Sequence, residues 1–330
     1  MKASKIKASE IIFSDNLTAS NGITFNETGS YDIEGSTVRQ INPGYDSYFY
    51  NTKTTKDMIV LHSTVGTVKG DVGTLTQVDN HCSVSFLIDR LGNIYELFSP
   101  DYWSYHLGSG AIGGNKLMSQ RSIGIELSNY GPITSSGTDL LTAYSTSTST
   151  SKDVYCSLSE TDYYTDLGYK FRDRRYFAKY TAEQVSACAA LVSYLCDKYS
   201  IEKTFLPLGT TTRFGVFPEN EAKSFKGVCS HINFRSSGKW DIGPDFPWDT
   251  FTKKVIDVTV SDVPKVAEVA EVAEVEEVPE VEDVLSSVTT EITDTLTTTM
   301  TSQVSTETIS SWITTIASIV KKILSLFGKN

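Results

Sequence analysis

Between Cys229 and Trp248 the chain reads CSHINFRSSGKWDIGPDFPW, with Lys239 eight residues after His231 and Asp241 ten residues after it. An imidazole and a carboxylate this close in sequence can face one point only if a tight loop joins them. Gly243, Pro244 and Pro247 read as the rigid turn that follows, rather than as more helix or strand. A closed structural zinc site usually takes four protein ligands, whereas a catalytic one takes three and leaves a position for water. Only two metal-binding groups are local here. A third has to come from a distant part of the sequence, so the fold must bring two remote segments together.

The chain has 4 histidines: His62, His81, His106 and His231. His62 ends the run Met58-Ile59-Val60-Leu61, which is short, apolar and β-branched. That pattern predicts a buried strand delivering His62 at its C-terminal end, with Ser63, Thr64 and Gly66 in the loop beyond. A ligand at a strand end is held by the sheet, and the following loop leaves room for substrate. His81 and Cys82 read as loop residues. Cys229 shares the face of His231 in an extended segment and reads as a small buried residue, since a fourth sulfur ligand would close the catalytic position.

Further runs fall in a fixed order. After the His62 strand comes Phe86-Leu87-Ile88-Asp89-Arg90-Leu91-Gly92-Asn93-Ile94-Tyr95, then Tyr105-His106-Leu107-Gly108, then Ser122-Ile123-Gly124-Ile125-Glu126, and last His231 to Pro244. Together these five motifs resemble the zinc-dependent N-acetylmuramoyl-L-alanine amidases of the type-2 amidase family, which includes phage amidases and peptidoglycan recognition proteins. The resemblance spans roughly residues 50 to 250. It implies a mixed central β-sheet flanked by helices, one Zn2+, and peptidoglycan or muropeptide as substrate. It implies that His62, His231 and Asp241 are the zinc ligands. Lys239 would stabilise the oxyanion, Glu126 would reach the attacking water, and His106 would line the cleft. The chain departs from the family at Val84 and Ser85, where a tyrosine or histidine often stands, and in the displacement of a cleft tryptophan to Trp103. Catalysis is therefore expected to lean on Lys239 and Glu126.

That chemistry suits these residue types. Zinc lowers the pKa of bound water to about 7 and polarises a carbonyl. A carboxylate such as Glu126 can take a proton from water and pass it to the leaving amine. A lysine at the oxyanion position offsets charge that appears only in the transition state. In the strand Ser122 to Glu126, alternation puts Ile123 and Ile125 on one face and Gly124 and Glu126 on the other.

Charge is unevenly spread. Of the net −11, residues 262–283 carry −8 through nine acidic residues and one lysine; residues 284–330 sum to zero, which leaves −3 for residues 1–261. No basic patch or lysine run interleaved with aromatics suggests nucleic acid. The 5 cysteines are odd in number and widely scattered, so neither a disulfide framework nor a thiolate cluster is indicated.

Four regions are expected. Residues 1–50 read as an N-terminal arm or β appendage, and residues 51–258 as the catalytic domain. Within that domain, 132–180 reads as a loop insertion over the cleft, and Thr181 to Gln184 as a capping box opening a helix. The face of that helix would hold Val185, Cys188, Ala189, Val192, Leu195, Cys196 and Tyr199. Residues 259–285, rich in Glu-Val, read as an extended acidic linker. Residues 286–330 begin Thr-rich and end in an amphipathic helix over 309–327, suited to a membrane surface or to self-association. The N-terminus lacks an apolar stretch of signal-peptide length, so the protein is expected in the host cytoplasm until released to the wall, or on a virion. The resulting expectation is a phage endolysin. The alternatives are a non-catalytic peptidoglycan-binding or virion structural module and a cytoplasmic muropeptide-recycling amidase.

Overall fold

The computed structural model describes residues 2–145 and 151–257. The chain opens with α1 (Ala3–Asn16), then the hairpin β1 (Asn26–Ile33) and β2 (Ser36–Asn42). β3 (Met58–Ser63) and α2 (Val68–Leu75) follow, then β4 (Phe86–Ile88), β5 (Ile94–Glu96), α3 (Asn115–Arg121) and β6 (Ser122–Leu127). Five short strands come next: β7 (Pro132–Ser136), β8 (Asp139–Leu141), β9 (Val154–Ser157), β10 (Tyr164–Phe171) and β11 (Arg174–Ala178). α4 (Ala182–Tyr199), α5 (Glu219–Ser224), β12 (Gly227–Ser230), a 3-10 turn (His231–Phe234) and α6 (Trp248–Asp257) complete the described chain.

Seven strands form a mixed central sheet in the order β1-β2-β5-β4-β6-β3-β12. Its functional half is the parallel set β4, β6, β3 and β12. β3 is buried along nearly its whole length, and its side chains divide by alternation. Ile59 and Leu61 join Ile123, Ile125, Leu127 and Val228 beneath α4 and α6. Met58 and Val60 face the other way, into a second core with Met118, Ala222 and Cys229. His62 continues that second face, and so do Glu126 on β6 and His231 after β12. The sheet therefore has helices on both faces, as expected for a mixed α/β fold.

Local chemistry explains the turns. Asp89 closes the β4–β5 hairpin: its carboxylate accepts from the Leu91 and Asn93 amides, both at 2.9 Å, and Gly92 takes the left-handed conformation at φ +86°. Thr181 caps α4, its hydroxyl accepting from the Gln184 amide at 3.1 Å. The box is not reciprocal. The Gln184 side chain instead donates to Ile88 O and Ser128 O, both at 3.0 Å, and so ties the helix to the ends of β4 and β6. The predicted apolar face of α4 is buried, with Tyr199 packed at its margin.

Residues 1–50, expected as an N-terminal arm or β appendage, form the helix α1 and the β1–β2 hairpin, which extends the central sheet beside β5. The α1 stripe is blurred in sequence because its buried row Ala3, Ile6, Glu10, Phe13 includes an acid, while Ile11 and Ile12 are exposed. Glu10 is buried against Arg90 of the β4–β5 turn, with a 3.0 Å ion pair and a 3.1 Å bond from the Arg90 amide. One regional expectation is corrected: residues 132–180 are not a loop but a five-stranded antiparallel sheet in the order β10-β11-β7-β8-β9. The acidic linker expected at 259–285 and the amphipathic helix expected at 309–327 lie outside the described residues. No helix among the described residues is long and apolar enough to cross a membrane.

Asp71 of α2 secures the loops that follow β3 and β6. Thr64 Oγ1 and Ser128 Oγ both donate to its Oδ2, at 2.8 and 2.7 Å. Burial pushes its carboxyl up to about 7, against the pull of those hydroxyls. A carboxyl with a raised folded-state pKa is stabilising while protonated, and that contribution is lost as pH rises from about 4 toward 7. Wild-type urea stability should therefore fall over this window more steeply than that of Asp71→Asn, by on the order of 1 kcal/mol per pH unit. Parallel pH profiles for the two proteins would contradict this.

Candidate metal centre and active site

Parallel pairing builds the site. β3 and β6 align His62 with Glu126, and β12 aligns Ser230 with Leu61, so His231 follows at the level of His62. Three functional side chains thus stand in one row at the C-terminal ends of adjacent parallel strands, about 4.8 Å apart per strand. Asp241 is returned to this row by a short loop, closed by a bond from the Ile232 amide to Asp241 O at 2.9 Å.

Three ligand atoms converge there. His62 Nδ1 lies 2.9 Å from His231 Nδ1 and 3.7 Å from Asp241 Oδ2, and His231 Nδ1 lies 3.0 Å from that same oxygen. His62, His231 and Asp241 are the group of described residues placed to hold a metal ion. A tetrahedral ion with bonds of about 2.0–2.2 Å needs ligand atoms roughly 3.3 Å apart, which the three separations bracket.

The hydrogen-bond network fixes which ring nitrogens carry protons. His231 Nε2 donates to Leu107 O at 3.1 Å, so its neutral ring presents a lone pair at Nδ1. Ser122 Oγ spends its one proton on Met118 O at 2.7 Å. It must then accept from His106 Nε2, 2.8 Å away. That leaves His106 Nδ1 as an acceptor for His62 Nε2–H at 2.9 Å, and His62 Nδ1 is left with a lone pair. Burial, then the neighbouring His231, pushes the His62 imidazole down to about 4, so it is neutral near pH 7. Burial opposes ionisation of Asp241, but positive charge at the neighbouring histidines and at Lys239 outweighs it and holds this carboxyl well below its usual range; where both Nδ1 atoms are unprotonated, a cation takes that part. Two lone pairs and a carboxylate oxygen within 4 Å repel one another unless a cation lies among them. The donor set fits a divalent metal such as zinc.

Glu126 is half-buried beside this point, and its Oε2 is enclosed without a hydrogen-bond partner. Burial raises its pKa well above the usual value, Asp241 adds to the rise, and Lys239 opposes it. Lys239 itself is half-buried, close enough for its charge to act on Glu126, His62 and Asp241. His106 differs from its expected place. It is buried at 8% exposure, with one ring nitrogen on His62 and the other on Ser122, so neither is free for a substrate. Gly124 makes room for it: a Cβ there would stand 3.3 Å from His106 Cγ and 2.8 Å from Val84 Cγ1.

Some neighbours were not anticipated. Cys82, read as a loop residue, is exposed, and its thiol is raised by partial desolvation, with Lys239 opposing and Glu126 adding to the rise. His81 stacks on Tyr50 at 4.1 Å, and Tyr50 stacks on Trp103 at 4.2 Å, so the displaced tryptophan packs in an aromatic pile instead of on His106. Cys229 points into the core, with Sγ 3.8 Å from Ile59 O. Ser122 also went unassigned, although strand alternation sets it on the face of Gly124 and Glu126.

The profile of the family described as N-acetylmuramoyl-L-alanine amidase matches residues 52–244, more than half of the chain. The chain belongs to this type-2 amidase family, hydrolases of an amide bond in peptidoglycan. No curated protein matches it. Among solved structures it is similar to N-acetylmuramoyl-L-alanine amidase LysC from Clostridium intestinale URNW, at 15% identity over 66% of this chain and 97% of that one, with TM-score 0.35. It is also similar to N-acetylmuramyl-L-alanine amidase AmiD from E. coli, at 19% identity over 69% of this chain and 66% of that one, with TM-score 0.38. At these identities and TM-scores, neither likeness bears on what the chain does.

The proton chain through His106 gives a direct test. Ser122→Ala removes the acceptor that sets the His106 tautomer, and so loosens control of His62. Outer-shell losses of this kind cost about 10- to 100-fold in metal affinity or activity. Chelator competition with Zn2+ should show affinity reduced at least about 10-fold; unchanged affinity would contradict the assignment of protons.

Proposed function

We propose that the protein is a zinc-dependent N-acetylmuramoyl-L-alanine amidase that cleaves the amide between the lactyl group of N-acetylmuramic acid and L-alanine. The observation that carries this reading is the convergence of His62 Nδ1, His231 Nδ1 and Asp241 Oδ2 beside the enclosed carboxyl of Glu126. Bound there, zinc would supply a water of pKa about 7 and a Lewis acid toward the scissile carbonyl.

The remaining work falls to the chain. Glu126 takes a proton from the attacking water and returns it to the leaving amine of L-alanine. Its unpartnered Oε2 leaves an acceptor free for that transfer, and burial favours the protonated form that must follow. Lys239 stands where negative charge grows on the carbonyl oxygen. Its ammonium is worth most in the transition state, because the ground-state carbonyl carries little charge. His106 Nδ1 and Leu107 O hold the Nε2 protons of His62 and His231, so both rings turn Nδ1 toward the metal position.

The product settles the bond. Purified peptidoglycan treated with the zinc-loaded enzyme should release stem peptides beginning with free L-alanine, read by mass spectrometry. Products cut elsewhere in the stem or in the glycan would overturn the reading. Lys239→Ala should keep its fold and its zinc while kcat falls about 100-fold or more, as for loss of an oxyanion donor. Turnover at the wild-type rate would remove Lys239 from the mechanism.

Within this reading we place the enzyme as a phage endolysin acting on the host wall, with residues 309–327 engaging a membrane surface or another copy of the chain. Every residue given a catalytic role precedes Trp248, and α6 packs on α4 through Phe251 and Val255. A chain ending after Asp257 should therefore hydrolyse soluble muropeptide at the full-length rate. It should lose liposome flotation or self-association shown by the full chain. If the truncated and full-length proteins behave alike in flotation and light scattering, the targeting role falls.

A further inference from the structure

We propose that Arg172, at the tip of the β10–β11 hairpin, is a positioning residue for the segment that carries Lys239 and Asp241. The proposal rests on the roles given to those two residues above. One guanidinium reaches two backbone carbonyls: Nη1 donates to Lys239 O at 2.6 Å, and Nη2 donates to Ile232 O at 3.1 Å. Ile232 directly follows His231, and Lys239 lies two residues before Asp241. The planar fork of arginine thus joins the two ends of the loop that separates the metal-binding histidine from the metal-binding aspartate.

The contact is reciprocal. Trp240 Nε1 donates to Arg172 O at 2.8 Å, and the Arg174 guanidinium lies over the Trp240 ring, 5.4 Å from its centroid. Phe171 packs from the same hairpin, with its ring 3.1 Å from where a Cβ on Gly243 would stand. The loop needs such a fastening. Ser236, Ser237 and Gly238 are exposed, and among the described residues the backbone from Ser236 to Trp240 makes no hydrogen bond except the one Arg172 gives to Lys239 O. Gly238, just before Lys239, takes the left-handed conformation at φ +70°, which a glycine adopts without strain.

The hairpin tip bears a conformational cost for holding this arginine. Arg172 and Asp173 both lie in the left-handed region, at φ +46° and +67°, between the paired residues Phe171 and Arg174. Two-residue hairpins of this shape favour Asn-Gly or Asp-Gly. A side chain as large as arginine at the first position is explained by what its guanidinium holds. The five-stranded sheet of residues 132–180 thereby carries a rigid arm to the oxyanion lysine.

The test uses the full-length, zinc-loaded protein and the variants Arg172→Ala, Arg172→Lys and Trp240→Phe. Three readouts follow the loop. Tryptic cleavage after Lys239, identified by mass spectrometry under native conditions, should quicken about tenfold in Arg172→Ala, because the segment opens more often. Zn2+ affinity by chelator competition should fall about 10-fold, because Asp241 is held less well. At saturating zinc, kcat on muropeptide should fall about 10-fold or more with KM within about twofold, since Lys239 acts on the transition state. Arg172→Lys should recover part of each effect, because one ammonium reaches one carbonyl. A purely architectural role would lower thermal stability without separating kcat from KM and without rescue by lysine. Should Arg172→Ala fail to fold, Trp240→Phe keeps an aromatic ring beside Arg174 but removes the pyrrole half of the indole with its N–H, and it should shift the same readouts in the same direction. Wild-type cleavage and zinc affinity in the folded variants would overturn the proposal. If the wild-type protein lacks amidase activity, the functional reading falls, while cleavage and zinc affinity still decide the role of Arg172.

Discussion

Everything at the site depends on the in-register parallel pairing of β6, β3 and β12. That register sets Glu126 opposite His62 and brings His231 to the same level, so three side chains from positions 62, 126 and 231 share one row. A slip of one residue in β3 would turn His62 into the core beneath α4, because alternate side chains face opposite sides of the sheet. The apolar faces prevent the slip. Ile59 and Leu61 are packed under α4 and α6, and Met58 and Val60 are packed on the other side. The core that stabilises the sheet also fixes the geometry of the chemistry.

The second constraint is the direction of protons. Two backbone carbonyls, Leu107 O and Met118 O, end the two chains of donors that leave His62 and His231 with inward lone pairs. Asp241 adds a carboxylate oxygen to the same point. Such a centre is costly without a cation and well suited to one, which is how a buried polar cluster can be tolerated at all. The five-stranded sheet and the loop after His231 meet at Arg172, which bonds to the backbone at both ends of that loop.

Part of this was legible in the sequence because the signals were local or periodic, while the roles of Glu126 and Lys239 came with the resemblance to type-2 amidases. The apolar run ending in His62, the alternation from Ser122 to Glu126 and the spacing of His231, Lys239 and Asp241 each follow from a backbone period or a tight loop. The α4 face was readable for the same reason. What escaped were features fixed by tertiary contact. α1 hides a buried glutamate whose partner, Arg90, is 80 residues away. The strands of the 132–180 sheet are mostly short and largely half-exposed or exposed, so they lack an apolar alternation to read. His106 carries no mark in sequence that separates a ring lining the cleft from a ring braced against His62. Arg172 gave no signal at all, since a guanidinium bonded to main-chain carbonyls leaves no pattern in the residues it holds.

Three inward-facing acceptor atoms, on His62, His231 and Asp241, are the proposed seat of a catalytic metal. Elemental analysis of the purified protein, joined to X-ray absorption at the zinc edge, tests it most directly. The expected result is one zinc per chain, with two imidazole nitrogens and one carboxylate oxygen from the protein, lost on His231→Ala. Stoichiometric zinc retained when His62 and Asp241 are both replaced by alanine would contradict it.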